Sequence, residues 1–225
     1  PSPTTAVTAN TMTVKAAALN INVSGDPVSQ TVVAGKAGYI FANYIFDVTA
    51  SGEDIRVTSI PLAYDMVETG AVTDLTNCQL YDDSVSLTTG SNVVNPSAES
   101  SSTSFTFDGN GLTITKQTSK TLAVKCDISG GTASNSVFRW GLDGTLDDTA
   151  STYTGATGLT SGQTVVEVFN GSVGQRMTIG TGSLTVELDS SSPSYTVATG
   201  GITDVTLGVL RFKAANDEIK LSSVA

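Results

Sequence analysis

Cys78 in TNCQLYD and Cys126 in TLAVKCDI are the residues best placed for covalent chemistry in this chain of 225 residues. A thiolate nucleophile needs a partner base, and the sequence contains no histidine to act as one. The same absence removes His-based acid–base catalysis, Ser-His-Asp and Cys-His hydrolases and the usual zinc sites. What two thiols can still do is pair. Cys78 shares a strand face with Leu80, and Cys126 shares one with Leu122, Val124 and Ile128, so both point toward an apolar interior. A disulfide is predicted in an oxidising compartment, closing a loop of about 49 residues and contributing up to roughly 4 kcal/mol. Two buried free thiols are the alternative.

Oxygen chemistry is the other option. Acidic residues cluster as Asp82 with Asp83, Glu53 with Asp54, and Asp143 with Asp147 and Asp148. Calcium takes six to eight oxygens from carboxylates and loop carbonyls, and GLDGTLDDTAS over residues 141–151 would supply several, which makes Asp143, Asp147 and Asp148 the candidate ligands. A solvated acidic loop is the competing explanation. DGNG at Asp108 fails the EF-hand spacing because Leu112 falls where a ligand belongs. No other cofactor is indicated, and no P-loop, dinucleotide fingerprint or serine elbow is present, so no enzymatic activity is expected. Paired carboxylates for glycoside hydrolysis are not signalled either. Asn22 and Asn170 open Asn-X-Ser patterns for glycosylation, whereas Asn95 is excluded by Pro96. Trp140 alternates with Phe138 and is predicted to be a core residue, with a sugar-stacking platform as the sharper alternative.

Composition narrows the partners. The net charge of −10 and pI near 4.2 argue against nucleic acid, which recruits Lys- and Arg-rich faces. No apolar run approaches the roughly 18 residues a membrane helix needs. Apolar residues at 39% are enough for a packed core despite the abundance of Ser, Thr and Gly. With no initiator Met, signal peptide or anchor motif, a mature chain or a fragment is expected.

The elements that would position these groups are strands. In KTLAVKCDI, residues 120–128, apolar and polar side chains alternate with a period of two. FTFDGNGLTI sets Phe105 and Phe107 across a Gly-Asn-Gly turn from Leu112 and Ile114, which predicts a hairpin. Residues 12–23, 39–49, 54–63, 77–82 and 136–142 are further strand candidates, rich in β-branched residues that disfavour helix. Many short strands between Ser/Thr/Gly-rich connectors predict an all-β fold, an immunoglobulin-like antiparallel β-sandwich with extra hairpins.

An internal repeat then organises the chain. MTVKAAALNINV from Met12 matches MTIGTGSLTVEL from Met177, and SQTVVAG from Ser29 matches SYTVATG from Ser194, both at an offset of 165. After a one-residue slip, Asp54, Ile55, Arg56 and Val57 match Glu218, Ile219, Lys220 and Leu221 as corresponding strands. Identity across the gap-free blocks is ten positions in 41, so collinear order rather than identity carries the inference of duplication. Residues 12–176 are expected to form one full sandwich repeat, 177–225 the first part of a second similar repeat, and 1–11 a linker. Those 49 residues bury too little to fold alone. They call for a continuing tandem array, completion by a neighbouring copy through strand addition, or packing back onto the first unit.

Residues 182–224, together with NCQLYDDSVSLTTG and TLAVKCDISGG of the first unit, resemble the tandem immunoglobulin-like repeats of large predicted cell-surface proteins of uncultivated small-genome bacteria. The resemblance implies secretion, β-sandwich repeats and assembly into a surface coat or appendage, and it transfers no catalytic residue. The expected function is therefore that of a structural extracellular protein, a repeat unit of a surface layer or filament whose partners are copies of itself or adjacent repeats. An adhesin or carbohydrate-binding module is the alternative.

Overall fold

The computed structural model describes residues 10–142, 153, 155–170, 173–195, 197 and 199–224. Among these residues there is no α-helix. The strands of the first part are Leu19–Val23 (β1), Gln30–Val33 (β2), Tyr39–Asp47 (β3), Ile55–Val57 (β4), Ser59–Met66 (β5), Leu75–Asp82 (β6), Val85–Ser86 (β7), Ser100–Thr106 (β8) and Leu112–Ile114 (β9). They are followed by Ser119–Ile128 (β10), Val137–Leu142 (β11), Ala156–Gly158 (β12), Thr164–Val165 (β13), Glu167–Asn170 (β14), Met177–Gly180 (β15), Ser183–Leu188 (β16) and Leu210–Ala215 (β17).

Alternation along these strands builds an all-β, immunoglobulin-like sandwich. One sheet runs β14-β1-β3-β10-β6-β7, a second β2-β15-β11-β5-β8, and a third, four-stranded, β13-β12-β4-β9. The alternating residues of β10 deliver Leu122, Val124, Cys126 and Ile128 inward, as their period of two requires. Opposite them, Trp140 of β11 lies fully buried, 4.8 Å from the Tyr64 ring and 5.4 Å from that of Phe105, so it is a core residue and offers no sugar platform. Two polar contacts tie the first two sheets together. The Tyr44 hydroxyl donates to the Gly141 carbonyl at 3.1 Å, and that of Tyr39 reaches Met177 Sδ at 3.6 Å. Burial pushes both phenols above their ordinary pKa, Tyr44 far more than Tyr39.

The Gly-Asn-Gly segment does not close a hairpin. β8 pairs with β5 and β9 with β4, both antiparallel, and only Thr58 separates β4 from β5. β8 and β9 therefore run in one direction along a nearly continuous partner, and residues 107–111 bulge between them. The Asp108 carboxylate pins the bulge by accepting from the Thr89 amide at 2.8 Å, the Thr89 hydroxyl at 2.7 Å and Asn92 Nδ2 at 2.8 Å. Gly111 has φ +88°, and an added Cβ would stand 2.5 Å from the Val57 carbonyl oxygen, so the turn chemistry read in the sequence serves close backbone approach.

Two parallel pairs close the sandwich: β14 lies beside β1, and β15 lies beside β2. The strand that opens with Met177, at the predicted start of the second repeat, is thus built into the first sandwich. Met177 and Ile179 are both in its core. Beyond it, β16 and β17 form a separate two-stranded sheet.

Candidate functional site

Cys78 and Cys126 are joined in a disulfide with an S–S distance of 2.03 Å, and both are buried. They sit on neighbouring strands, β6 and β10, beside a register shift in that pairing. Asn22 and Asn170, the two candidate glycosylation residues, are register partners across the parallel β1–β14 pair, so they stand side by side at one edge of the sandwich. The proposed calcium ligands Asp143, Asp147 and Asp148 lie outside the described residues, among which no group of three metal-ligating side chains occurs.

Glu53 and Asp54 are committed to the backbone. Glu53 Oε2 accepts from the amides of Thr160 at 2.6 Å and Ser161 at 2.8 Å, and Asp54 Oδ1 accepts from Lys116 N at 2.9 Å. These bonds, Ser161's foremost, hold the Glu53 carboxyl below its ordinary pKa, and the bonds from Thr89 do the same for Asp108. Asp82 forms an ion pair with Lys120. Such carboxylates cap turns and pair charges. Glu167 on β14 differs: it is buried, its Oε2 has no partner, and burial drives its pKa up against the pull of neighbouring amides. Sequence patterning did not single it out, because a glutamate at the start of an edge strand reads as a surface residue.

The β16–β17 hairpin presents an open apolar surface. Its pairing, Val186 with Phe212 and Leu188 with Leu210, reproduces that of β1 with β3, Ile21 with Phe46 and Val23 with Tyr44. Val186 follows Ile21 by 165 positions and Phe212 follows Phe46 by 166, so the two registers lie at nearly the offset of the sequence match. The one-residue slip of the sequence comparison is resolved into one residue gained before Phe212 and two lost before Ile219. The hairpin is cleanly two-faced. Leu184, Val186, Leu188, Leu210 and Phe212 share one side, while Thr185, Glu187, Arg211 and Lys213 share the other. Asp189 caps its end by accepting from the amide and hydroxyl of Ser191 and from Arg211, which together hold its carboxyl low.

Burial separates the two copies. Ile21 and Phe46 are fully buried, whereas Val186 is 50% and Phe212 39% exposed. The contrast extends to the junction strands. Ile55 and Val57 are in the core, held between β9 and β12, but residues 218–221 form no strand, and Ile219 and Leu221 stand in solvent. A short strand such as β4 is held by its two ladders, and among the described residues no strand flanks Ile219.

A junction carbonyl is engaged in both segments. Gly52 N donates to the Ala16 carbonyl at 3.1 Å, and Asn216 Nδ2 donates to the Thr181 carbonyl at 3.1 Å. Thr181 follows Ala16 by 165 positions and Asn216 follows Gly52 by 164, so corresponding carbonyls are engaged at matching positions, by a backbone amide in one segment and a side-chain amide in the other.

A separate hydroxyl-rich groove is lined by Thr58, Ser59, Ser102, Ser104 and Tyr153, with the Tyr153 ring edge-on to Phe169 at 5.0 Å. Among the described residues no helix is long and apolar enough to cross a membrane. No protein-family model matches the chain, and no curated protein matches it in sequence.

Proposed function

We propose that this chain is a structural extracellular protein, a repeat unit that associates with further units of its own kind to build a surface layer or filament. The observation that carries the proposal is the β16–β17 hairpin, which copies β1–β3 in register and leaves uncovered the face that the first copy buries. Fully burying an aliphatic or aromatic side chain contributes about 1.5–3 kcal/mol, so five such residues on one face are a strong drive toward association. A two-stranded hairpin is at best marginal alone and calls for a covering layer. The disulfide supports an oxidising location outside the cytosol. The partners are copies of the chain or adjacent repeats.

The hydroxyl-lined groove at Tyr153 favours a second reading, a carbohydrate-binding adhesin, but one tyrosine falls short of a stacking platform. Electron microscopy of the purified chain at increasing concentration, alongside a glycan-binding screen, distinguishes the two. Ordered sheets or fibres are expected. Dispersed molecules that bind sugar would replace the structural role with the adhesive one.

A further inference from the structure

The phrase Met-Thr-Val/Ile occurs twice in opposite surroundings. Met177 and Ile179 are 0% and 1% exposed within the sandwich, while Met12 and Val14, each 165 positions earlier, are 88% and 95% exposed. β15 is held on both sides: parallel to β2, with Ile179 beside Val32, and antiparallel to β11, with Met177 beside Phe138. Residues 12–14 present the same two buried-type side chains, with Val14 one methylene smaller than Ile179. Directly downstream of both segments a backbone carbonyl is held by a later residue, that of Ala16 by the Gly52 amide and that of Thr181 by the Asn216 side chain. An apolar pair standing in water just before such an anchor therefore has its complementary slot defined elsewhere on the same chain.

We infer that residues 12–14 are a docking strand that enters the β2–β11 slot of a second copy, taking there the place β15 holds here, so that copies join head to tail. The inference rests on the assembly proposed above and adds to the open β16–β17 face a second contact between copies. Strand addition of this kind takes its affinity from main-chain hydrogen bonds and its register from alternate side chains. A head-to-tail contact is heterologous, and it extends into a fibre unless its rotation closes a ring. The slot also sets where docking stops. Lys15 would fall at Gly180, where an added Cβ meets the Thr31 methyl group, so the docked segment ends at Val14.

Register-specific cross-linking of the full chain tests this. Thr13→Cys with Thr31→Cys puts thiols where pairing would bring them side by side, as Thr178 and Thr31 are here. Thr13→Cys with Val28→Cys is the control, since Val28 is exposed but off register. Oxidation at high concentration, read on non-reducing gels and by mass spectrometry, is expected to give an oligomer ladder about tenfold stronger for the 13–31 pair, and Val14→Asp is expected to abolish it. Ile179→Asp, which loosens the resident strand, is expected to strengthen the ladder; if that chain fails to fold, the pair in the wild-type background still decides. Equal ladders from the two pairs, or a ladder indifferent to Val14→Asp, would overturn the docking strand. Ordered particles without a register-specific ladder would overturn it while leaving the assembly proposal intact, whereas dispersed molecules with no ladder would overturn both.

Discussion

The β1–β3 pair and the β16–β17 hairpin share a register and an alternation, yet one lies in the centre of a sandwich and the other in solvent. In the first copy, Ile21 and Phe46 face a second sheet whose Trp140, Tyr64 and Leu142 are themselves fully buried. In the second, Val186 and Phe212 keep the same pairing with no such layer above them. Local pattern is thus sufficient to form the paired strands, and the covering sheet is what turns an amphipathic hairpin into a core. The junction strands say the same thing from the other side. Ile55 and Ile219 carry matching neighbours in sequence, but only the former has partner strands to hold it.

That contrast can be broken most forcefully at the matched phenylalanines. Phe46→Ala is expected to destabilise the dispersed chain by about 3–5 kcal/mol, as buried aromatic truncations do, and Phe212→Ala by less than about 0.5 kcal/mol. Chemical denaturation followed by the fluorescence of Trp140, the single tryptophan, measures both; equal losses would mean that the hairpin is packed in solution. Removing the disulfide with Cys78→Ala and Cys126→Ala comes next, with an expected loss of up to about 4 kcal/mol on the chain-entropy account. It should lower the Trp140 transition while leaving amide exchange in β16–β17 unchanged. Gly111→Ala forces a Cβ against the Val57 carbonyl at positive φ and is expected to cost about 1–3 kcal/mol, confined to the first sandwich.

The smallest effect is a pH dependence at the edge of β1, where Glu167 pairs with Leu19 and where β16 has no counterpart. A carboxyl held above its ordinary pKa keeps in the folded state a proton that the unfolded chain releases. Stability therefore falls as pH rises from the ordinary glutamate range through the raised folded value. Glu167→Gln is expected to melt above wild type at neutral pH, with the difference vanishing in acid. Parallel curves for the two proteins would show that Glu167 does not titrate in this way.

Much of the first sandwich was legible because its strands alternate strictly. The face shared by Leu122, Val124 and Cys126 followed from period two alone, and the pairing of Cys78 with Cys126 followed from two thiols directed at one core. Trp140 was placed correctly by its alternation with Phe138. What local pattern cannot reveal is which strands become neighbours. The Gly-Asn-Gly turn was sound as turn chemistry, yet β8 and β9 found β5 and β4 in place of each other. The parallel pairings of β14 and β15 join segments more than a hundred residues apart and leave no mark in the intervening sequence. Nor could Met177 be told from Met12, since the two begin nearly identical phrases and differ only in what surrounds them. The apolar hairpin face was readable as alternation, but that it would stand uncovered emerged only in three dimensions.

Residue-resolved hydrogen–deuterium exchange, compared between dilute and concentrated chain, reads whether the β16–β17 face is covered only on association. Amides of β1 and β3 are expected to be protected throughout, while those of β16 and β17 exchange within seconds when dilute and gain protection as the chain assembles. Slow exchange in β16–β17 at high dilution, or fast exchange persisting within assembled material, would contradict a face covered only on association.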